Sequence, residues 1–348
     1  MLHFFRKIRR DYLVNVNFRY KYISLIAFLF FIILSLDAQE LATEDLRCEY
    51  KLNPLGIDIA KPRLSWKIAA DTATNKILQK AYRIQVSFND STFASANKLS
   101  LDTKKVNSQR SVHLEYTGEE LVVRSRYYWR VKVWDNHGRE SDWSKTAYWE
   151  TGINESKQWK AQWIIPDLDE KDTFDNPAPY LRRDFEVQRP VKKARLYITS
   201  KGLYLSSING FPVSQDIFTP GWTSYNKRIQ YQVYDVTSLL NPGTNTAGVI
   251  LSDGWFKGRL FAFGESKRNL YGGNLSLIYQ LEIEYDNGEM ETIVSDENWK
   301  SHDSPIRMSS IYDGEVYDAN FELKGWDKPG YNDKDWMSVR KGKDSLGN

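Results

Sequence analysis

The most constraining feature of the sequence is a run of apolar and small side chains at every second position between residues 121 and 135. The positions between them include Arg124, Arg126, Arg130 and Lys132. Successive side chains of a strand point to opposite faces, so this alternation predicts a β-strand with one buried and one solvated face. The alternating positions are Leu121, Val123, Ser125, Tyr127, Trp129, Val131, Val133 and Asp135.

Other strand-like runs surround this segment and predict a first module over residues 42–152. Turn-forming pairs such as Asn53-Pro54 and Lys61-Pro62 separate them. Short strands at this spacing, with little helical periodicity, indicate an all-β sandwich. The runs are Leu46–Leu52, Arg63–Ile68, Ala81–Phe88, Val112–Tyr116, Tyr127–Asp135 and Thr146–Thr151.

The spacing of Leu121 and Tyr127 at the start of the alternating segment resembles the fibronectin type III module. The resemblance implies that Tyr127 is a corner tyrosine whose hydroxyl is tied to nearby backbone, and that Trp66 is the buried core tryptophan of an early strand. These interpretations are structural, and they assign no chemistry to the first module.

Composition excludes some functions. Aromatic residues make up 14% of the chain, which is too many for a disordered protein. They suit β-sheets and the stacking of flat rings on sugars, and most are expected in sandwich cores. The net charge of +3 arises from residues 1–38, which hold six basic and two acidic side chains. Because no basic stripe remains to bind phosphate, nucleic-acid binding is not expected.

The sequence lacks the residues that several kinds of site require. Its single cysteine, Cys48, excludes an intrachain disulfide and a thiolate metal site. Cys48 stands in the first predicted strand and is expected to be a small core residue rather than a reactive thiol. The sequence contains no phosphate loop, no nucleophile elbow and no His-Glu-x-x-His motif.

The N-terminal segment has the order of a secretory signal peptide. Basic residues precede the apolar run Tyr22–Leu36, and Ala38 supplies a small residue before a cleavage point. The run has about 15 residues, short of the roughly 20 that span a bilayer as a helix. We predict a signal peptide over residues 1–38 and a secreted or periplasmic protein, with an uncleaved membrane anchor at the N-terminus as the alternative.

A second sandwich, jelly-roll-like with long loops on one side, is predicted over residues 159–340, followed by a polar tail at 341–348. Its clearest signal is the strand Leu203–Ile208 followed by Asn209-Gly210, a pair that supplies the left-handed backbone of a tight hairpin turn. Further strands are predicted at Tyr180–Val187, Ala194–Ser200, Arg228–Tyr234 and Thr246–Leu251.

An acidic loop lies near the start of the second module. Clustered carboxylate oxygens suit Ca²⁺, but their spacing matches no defined calcium loop. A solvated loop is the main interpretation and a structural calcium the alternative; no other cofactor is expected. The carboxylates are Asp167, Asp169, Asp172 and Asp175.

The second module also carries an ordered series of short motifs. They are Gly202-Leu-Tyr204, Ile208-Asn209-Gly210, Pro220-Gly-Trp-Thr-Ser-Tyr225, Tyr234-Asp-Val-Thr237, Gly254-Trp-Phe-Lys-Gly258, Ile311-Tyr-Asp-Gly-Glu-Val-Tyr-Asp-Ala319 and Gly330-Tyr-Asn-Asp-Lys-Asp-Trp336. Together they resemble the N-terminal β-sandwich domain of bacterial α-L-rhamnosidases, and the resemblance extends over residues 42–340. Asn320 departs from it, because the family usually has arginine at that position.

The resemblance implies an origin in enzymes that remove terminal α-L-rhamnose from plant glycosides and pectic polysaccharides with inversion. In that family the catalytic carboxylates lie in a helical toroid that follows the sandwiches. We therefore expect a non-catalytic N-terminal region with no catalytic residues of its own. Its expected partners are a rhamnose-containing glycan and the missing C-terminal catalytic domain.

Tryptophans and carboxylates of the second module are the candidates for carbohydrate contact. Trp222 and Trp255 offer flat rings, while Asp313, Glu315 and Asp318 form the densest local carboxylate cluster. At strand spacing Asp313 and Glu315 would share one face. The alternative is structural: these carboxylates fix turns and edges, or face the catalytic domain beside an apolar surface. Two more tryptophans expected nearby are Trp299 and Trp326.

Two other functions stay open at the level of sequence. A stand-alone secreted carbohydrate-binding protein would bind a rhamnose-bearing glycan through a residue such as Trp222 or Trp255. A surface adhesion module would use its sandwiches as spacers, and an uncleaved N-terminal anchor would favour that function.

Overall fold

The computed structural model describes residues 41–70, 76–89, 91–94, 99–168, 176–262 and 265–342. In these ranges the chain is almost entirely β-structure, and it divides into two compact units. The first unit holds the chain up to Pro54, Lys61–Glu120 and Arg126–Trp149. The second holds Leu55–Ala60, Leu121–Ser125 and the chain from Glu150 onward.

Some sequence-based predictions lie outside the described residues. These include the signal peptide over residues 1–38 and three of the four carboxylates of the acidic loop, Asp169, Asp172 and Asp175. Within the described ranges, no helix combines the length and the apolar character that crossing a membrane requires.

The first unit contains two sheets. One has the order β1-β2-β6, and the other has the order β4-β3-β7-β8 with β5 beside β3. The strands are β1 (Ala42–Cys48), β2 (Arg63–Ala69), β3 (Gln79–Phe88), β4 (Leu99–Asp102), β5 (Val106–Asn107), β6 (Leu114–Glu115), β7 (Arg126–Asp135) and β8 (Ala147–Glu150).

Strand β7 confirms the predicted alternation, because every second residue from Tyr127 to Asp135 is buried. The Tyr127 ring stacks on Trp149 with ring centroids 5.4 Å apart, which places two large apolar surfaces in this core. The prediction was wrong for residues 121–125, which are not strand. Arg124 has a left-handed backbone (φ +55°), which departs from the extended conformation of a regular strand.

Trp66 and Cys48 both lie in the core of the first unit, as predicted. The Trp66 indole nitrogen donates to the Gln79 side chain at 3.0 Å, so its polar atom is satisfied inside the core. Burial raises the pKa of the Cys48 thiol well above its ordinary value, which keeps the sulfur protonated and unreactive.

The second unit is built on one continuous hydrogen-bonded order, β13-β12-β15-β10-β20-β23-β9-β18-β11-β14, with β19 beside β18. Its strands are β9 (Ile164–Pro166), β10 (Pro179–Val187), β11 (Val191–Lys201), β12 (Leu203–Ile208), β13 (Phe211–Pro212), β14 (Gln232–Asp235), β15 (Gly243–Ser252), β18 (Ser276–Tyr285), β19 (Met290–Val294), β20 (Lys300–Asp303) and β23 (Met337–Lys341).

In the described residues, a short helix and two β-hairpins lie outside this order. Helix α1 (Gly254–Lys257) is a single turn after β15. Strands β16 (Leu260–Ala262) and β17 (Glu265–Lys267) form a small hairpin. Strands β21 (Ile306–Ser310) and β22 (Gly314–Tyr317) form a second hairpin.

The core of the second unit is formed by buried apolar side chains of its long strands. Strands β11 and β18 contribute Leu196, Ile198, Leu277 and Leu281, which are fully buried with Val249 of β15. Each such side chain stabilises the fold by roughly 1.5–3 kcal/mol relative to leaving it in water. This core therefore fixes the positions of the strand ends. The loops that carry the candidate functional residues begin at those ends.

Trp299 belongs to this core and not to a carboxylate cluster, so the expectation of a surface position was wrong. Its side chain is fully buried, and its indole nitrogen donates to the Val294 carbonyl at 2.9 Å. Its ring meets Tyr279 edge-on with centroids 5.0 Å apart. The apolar ring is more stable among these side chains than against water.

A chain segment that we call the strap, residues 326–336, covers the face of β10 that points away from the core. Tyr180 and Arg182 share that face because they alternate with the core residue Leu181. The Trp326 ring stacks on Tyr180 with centroids 4.0 Å apart. Arg182, fully buried, donates to the Trp326 carbonyl at 2.9 Å and pairs with Asp333.

We expect Trp299→Ala to lower the free energy of unfolding by about 3–5 kcal/mol, because the missing ring leaves a cavity in a packed core. Urea unfolding followed by circular dichroism would measure a lower midpoint with an unchanged slope. Trp222→Ala is a matched control, since Trp222 is 54% exposed, and it should cost less than about 1 kcal/mol. Equal losses in the two variants would contradict the assignment.

We also expect the strap to respond to acid through Asp333. Burial alone would raise the pKa of Asp333, but the hydrogen bond from Lys300 and the charge of Arg182 hold this pKa below its ordinary value. Its stabilising effect is therefore present above the unfolded pKa of about 3.9 and is lost as the pH falls through the lower folded pKa.

The measurement is the free energy of unfolding of wild type and Asp333→Asn at pH 7 and at pH 3. Asp333→Asn should destabilise the protein by about 3–5 kcal/mol at pH 7, because it leaves the buried Arg182 with a partner missing, and by less at pH 3. The exposed Asp335→Asn serves as the control and should have little effect at either pH. A loss of equal size at both pH values would argue against this role of Asp333.

Candidate functional site

Four aromatic side chains of the second unit form an exposed surface that we call the aromatic platform: Phe218, Trp222, Trp255 and Tyr271. The rings of Trp222 and Trp255 are parallel to within 3°, with centroids 6.0 Å apart. Phe218 lies 5.9 Å from Trp255, and the Trp222 indole nitrogen donates to the Tyr271 hydroxyl at 3.2 Å. Because Phe218 and Trp222 are about half exposed, their rings are available to a ligand.

The loop that carries Trp222 is anchored by the buried Tyr225. The Tyr225 hydroxyl donates to the carbonyl of Gly221, whose positive φ of +102° few other residues tolerate. Its ring lies 5.2 Å from Phe256 and 5.0 Å from Tyr271. Burial raises the pKa of Tyr225 to about 12, so the hydroxyl stays protonated and keeps this bond at neutral pH.

Trp255 is positioned by the first residue of helix α1. Gly254 has a φ of +53°, and a Cβ at this position would lie 2.5 Å from the Leu203 side chain. Glycine therefore lets the helical turn approach β12 closely. The preceding Asp253 is buried and pairs with Arg268 at 2.6 Å, which fixes the start of the same turn.

The carboxylate of Asp313 reaches the loop that follows α1. Arg259 pairs with it through both its Nη2 and its Nε atoms, the latter at 3.1 Å. Asp313 lies in the turn between β21 and β22, so this ion pair connects the hairpin to the loop just after Trp255. An arginine–carboxylate pair of this kind fixes geometry as well as charge.

The five predicted site residues do not all come together in the structure. It brings Trp222 and Trp255 together as a stacked pair. The prediction that Asp313 and Glu315 share a strand face was wrong, because Asp313 precedes β22 in a turn while Glu315 lies exposed on the strand. Asp318 accepts hydrogen bonds from the backbone and side-chain nitrogens of Asn320, at 3.0 and 2.8 Å, and caps a short 3₁₀ turn. Carbohydrate contact by these residues stays a prediction.

Asn320 therefore has a local role at the position where arginine was expected. Its amide holds Asp318, so the carboxylate at this turn is satisfied without a cation. Trp326 is likewise committed elsewhere, since it belongs to the strap and stacks on Tyr180.

The acidic loop contributes one described carboxylate, and it has a cationic partner. Asp167 pairs with Arg340 at 2.7 Å, and both side chains are half exposed. Across the part of the chain that the structure describes, no group of three His, Cys, Asp or Glu side chains is arranged to hold a metal ion.

Four exposed apolar side chains lie on the β21–β22 hairpin and in the turn after it. We call them the exposed hairpin side chains: Tyr312, Val316, Tyr317 and Phe321. Val316 and Tyr317 are adjacent in β22, so they point to opposite sides of the hairpin. Each of the four side chains is about half exposed, and Arg307 covers part of the Phe321 ring at 4.3 Å. An apolar surface was expected beside Asp313–Asn320; exposed apolar side chains are present there, and a surface that a partner covers stays a prediction.

Sequence reasoning missed Phe218 and Tyr271 of the platform. The pair Ile217-Phe218 was a usable signal, because two large apolar residues inside a turn-rich segment are unusual unless they pack or bind. Tyr271 had no such signal, since its contact with Trp222 depends on two loops 49 residues apart in sequence.

The chemistry available at the platform is binding rather than bond cleavage. Flat aromatic faces suit the apolar face of a sugar ring, and Tyr271 adds a hydroxyl at the edge of the surface. A glycosidase instead needs two carboxyls facing one bond, and the neighbouring Asp313 is occupied by Arg259.

Comparisons with known proteins match both units. Residues 43–155 match the family described as Rha78A-like, N-terminal immunoglobulin domain. Residues 189–346 match the family described as Alpha-L-rhamnosidase N-terminal domain. Immunoglobulin and fibronectin type III domains share the sandwich architecture, so the first match agrees with the predicted fold.

Relatives named α-L-rhamnosidase cover most of the chain. One from Formosa agariphila is 38% identical over 301 residues, which are 83% of this chain and 31% of that protein. One from Alteromonas sp. is 36% identical over 299 residues, covering 83% of this chain and 32% of the relative. The chain thus spans about a third of the length of the curated relatives it matches.

Solved α-L-rhamnosidase structures show the same fold over this region. The enzyme from Dictyoglumus thermophilum superposes with a TM-score of 0.79 at 34% identity, covering 89% of this chain and 35% of that one. The Streptomyces avermitilis enzyme, solved in complex with L-rhamnose, has a TM-score of 0.79 at 25% identity, covering 88% of this chain and 45% of that one.

We expect Trp222→Ala to weaken binding to an immobilised glycan that carries L-rhamnose by at least about tenfold, or 1.4 kcal/mol, because it removes the outer ring of the stacked pair. Affinity electrophoresis would measure the change. Phe211→Ala is the matched control, since Phe211 is 63% exposed and lies outside the platform. Equal weakening in both variants, or no binding by the wild type, would remove the platform as a carbohydrate site.

Proposed function

We propose, from the premise that this chain belongs to the α-L-rhamnosidase family, that it forms the non-catalytic N-terminal region of a glycoside hydrolase acting on rhamnose-containing glycans. Both matched families are N-terminal domains, and they occur here in chain order. The observation that carries the proposal is coverage: the chain spans 31% and 32% of two relatives named for the activity. The larger part of each relative therefore remains to hold the catalytic machinery.

The chemistry of the described carboxylates supports a non-catalytic role. Inverting hydrolysis needs one protonated carboxylic acid and one carboxylate base, roughly 6.5–9.5 Å apart. Asp313 is paired with two nitrogens of the Arg259 guanidinium, so its oxygens are occupied by this ion pair. Asp318 is occupied by the turn that it caps. The cluster that the sequence nominated thus supports local structure.

The exposed hairpin side chains supply apolar contacts on both sides of the hairpin for the domain that follows in the relatives. Tyr312, Val316, Tyr317 and Phe321 leave apolar area in water, which is favourable to cover. The ion pair between Asp313 and Arg259 fixes the turn of this hairpin, so its exposed side chains are held in a defined position. We propose that the catalytic region docks here.

Export is a further part of the proposal. The basic residues before Tyr22–Leu36 and the small Ala38 after it support a cleaved signal peptide and a secreted or periplasmic enzyme. The mass of the mature protein recovered from a bacterial host distinguishes cleavage after Ala38 from retention as an anchor.

A stand-alone carbohydrate-binding function is the second candidate. The parallel pair of Trp222 and Trp255, in which the Trp222 ring is about half exposed, favours it, because this arrangement offers an aromatic face without any catalytic group. The two candidate functions differ in one requirement. The glycoside hydrolase needs a catalytic domain encoded after this chain, and the carbohydrate-binding protein does not.

We expect this chain alone to release no 4-nitrophenol from 4-nitrophenyl α-L-rhamnopyranoside above the buffer rate. We expect the same chain, extended through the coding sequence that follows Asn348, to release it and to yield the inverted anomer by proton NMR. The reason is that the acid–base pair is supplied outside the two sandwich units. Release by the chain alone would contradict the non-catalytic assignment.

The docking surface is tested in the extended protein with Val316→Lys and Tyr317→Lys together. We expect a lower thermal midpoint and reduced activity, because two charges are placed in an apolar contact. Phe211→Lys is the matched control, since Phe211 is similarly exposed but lies away from the hairpin. An extended protein unaffected by the double substitution would place the docking surface elsewhere.

A further inference from the structure

The second unit also contains a cleft of about 270 Å³ that no part of the proposed function uses. It lies beside β12, between the strap and the segment that follows β13. Its lining includes Leu205, Ile250 and Trp326 on the apolar side and Ser207, Asp216 and Asp327 on the polar side. The residues of the aromatic platform are not among those that line it.

The floor of the cleft is a cross-strand apolar pair. Leu205 of β12 lies opposite Ile250 of β15 in the ladder, and both point away from the core. Leu205 is 56% exposed, so its side chain meets solvent in the cleft. Covering an exposed leucine on a concave surface with an apolar face is favourable, because it removes apolar area from water.

One wall of the cleft is fixed by the strap. At Gly248 an added Cβ would lie 2.7 Å from the Asp327 side chain and 3.1 Å from the Trp326 ring. Glycine at this position lets the strap lie directly on β15, which brings the Trp326 ring and the Asp327 carboxylate to the edge of the apolar floor. Arg182 holds the strap there through the Trp326 carbonyl.

The polar groups are arranged for hydroxyl ligands. Ser207 donates to one Asp327 oxygen at 2.8 Å, which orients a carboxylate that can accept further hydrogen bonds. Across the cleft, the Tyr234 hydroxyl contacts Asp216 and Ser214. Burial raises the pKa of Tyr234 to about 12, so this hydroxyl stays protonated at neutral pH.

The charge of the lining decides between ligand classes. It holds two carboxylates and no lysine or arginine, so it disfavours phosphate, sulfate and uronic acids. A simple amine would pair with the carboxylates but would leave the apolar floor uncovered. A pyranose satisfies both, because its hydroxyls donate to carboxylates while its C–H face covers Leu205 and Ile250.

We propose that this cleft binds a neutral pyranose unit, as a saccharide site separate from the aromatic platform. The proposal does not depend on rhamnose release and would stand if the chain acted alone. In a polysaccharide substrate, a second contact would raise the effective concentration of the chain beside its glycan.

The test is saturation-transfer difference NMR of the whole chain with methyl α-L-rhamnopyranoside, methyl α-D-mannopyranoside and, as the amine probe, putrescine. Variants are Leu205→Arg, which fills the cleft, and Asp216→Ala, which removes an exposed carboxylate. Phe211→Ala and Asp286→Asn are the matched exposed controls outside the lining. Trp222→Ala removes a ring of the aromatic platform, so it distinguishes binding in the cleft from binding at the platform.

In the Trp222→Ala background, where the aromatic platform does not contribute, we expect saturable binding of at least one glycoside. Adding Leu205→Arg or Asp216→Ala should raise its Kd at least tenfold, and adding either control substitution should leave the Kd unchanged. Thermal midpoints within a few degrees of wild type would show that the cleft variants remain folded. The proposal is overturned by any of three results: no glycoside binding, binding lost only in Trp222→Ala, or binding of putrescine alone.

Discussion

The outer face of the second unit depends on one buried guanidinium, that of Arg182. Removing an arginine from water costs several kcal/mol unless its charge is paired and its donors are satisfied. Asp184 and Asp333 supply the charge, and the carbonyls of Trp326 and Lys328 accept from the remaining donors. The strap cannot shift without breaking this set, so its position is as firmly defined as that of a strand.

Two surfaces follow from that constraint. The strap carries Trp326 and Asp327 to the edge of β15, which turns a flat sheet face into a concave one. The β21–β22 hairpin is held by a different arginine, Arg259, through Asp313. In both places an arginine fixes a peripheral segment, and the segment then presents side chains that the sandwich itself does not use.

Much of the fold could be predicted from sequence because apolar periodicity determines which residues enter the core. The alternating burial along strand β7 follows from that rule. The rule failed at residues 121–125 because the left-handed backbone of Arg124 is not encoded in hydrophobic pattern. It also failed for Asp313, where the turn before Gly314 (φ +84°) displaced the carboxylate from the strand.

The candidate sites were less predictable than the fold because they join distant segments. Trp222 and Trp255 could be nominated as rings, but their parallel stacking depends on the loop anchored by Tyr225 and on the positive φ of Gly254. Asp216 and Asp327 were not nominated at all, since more than a hundred residues separate them and the strap alone brings them to one cleft.

The position of Cys48 gives the chain a built-in reporter of local opening. Thiol reagents attack the thiolate, and this sulfur is 1% exposed with a pKa raised by burial. Alkylation therefore proceeds through molecules in which the first unit has opened, and its rate measures the free energy of that opening. Since the sequence holds no other cysteine, the second unit contributes nothing to the signal. The stabilities of the two sandwiches can thus be separated within one unmodified polypeptide.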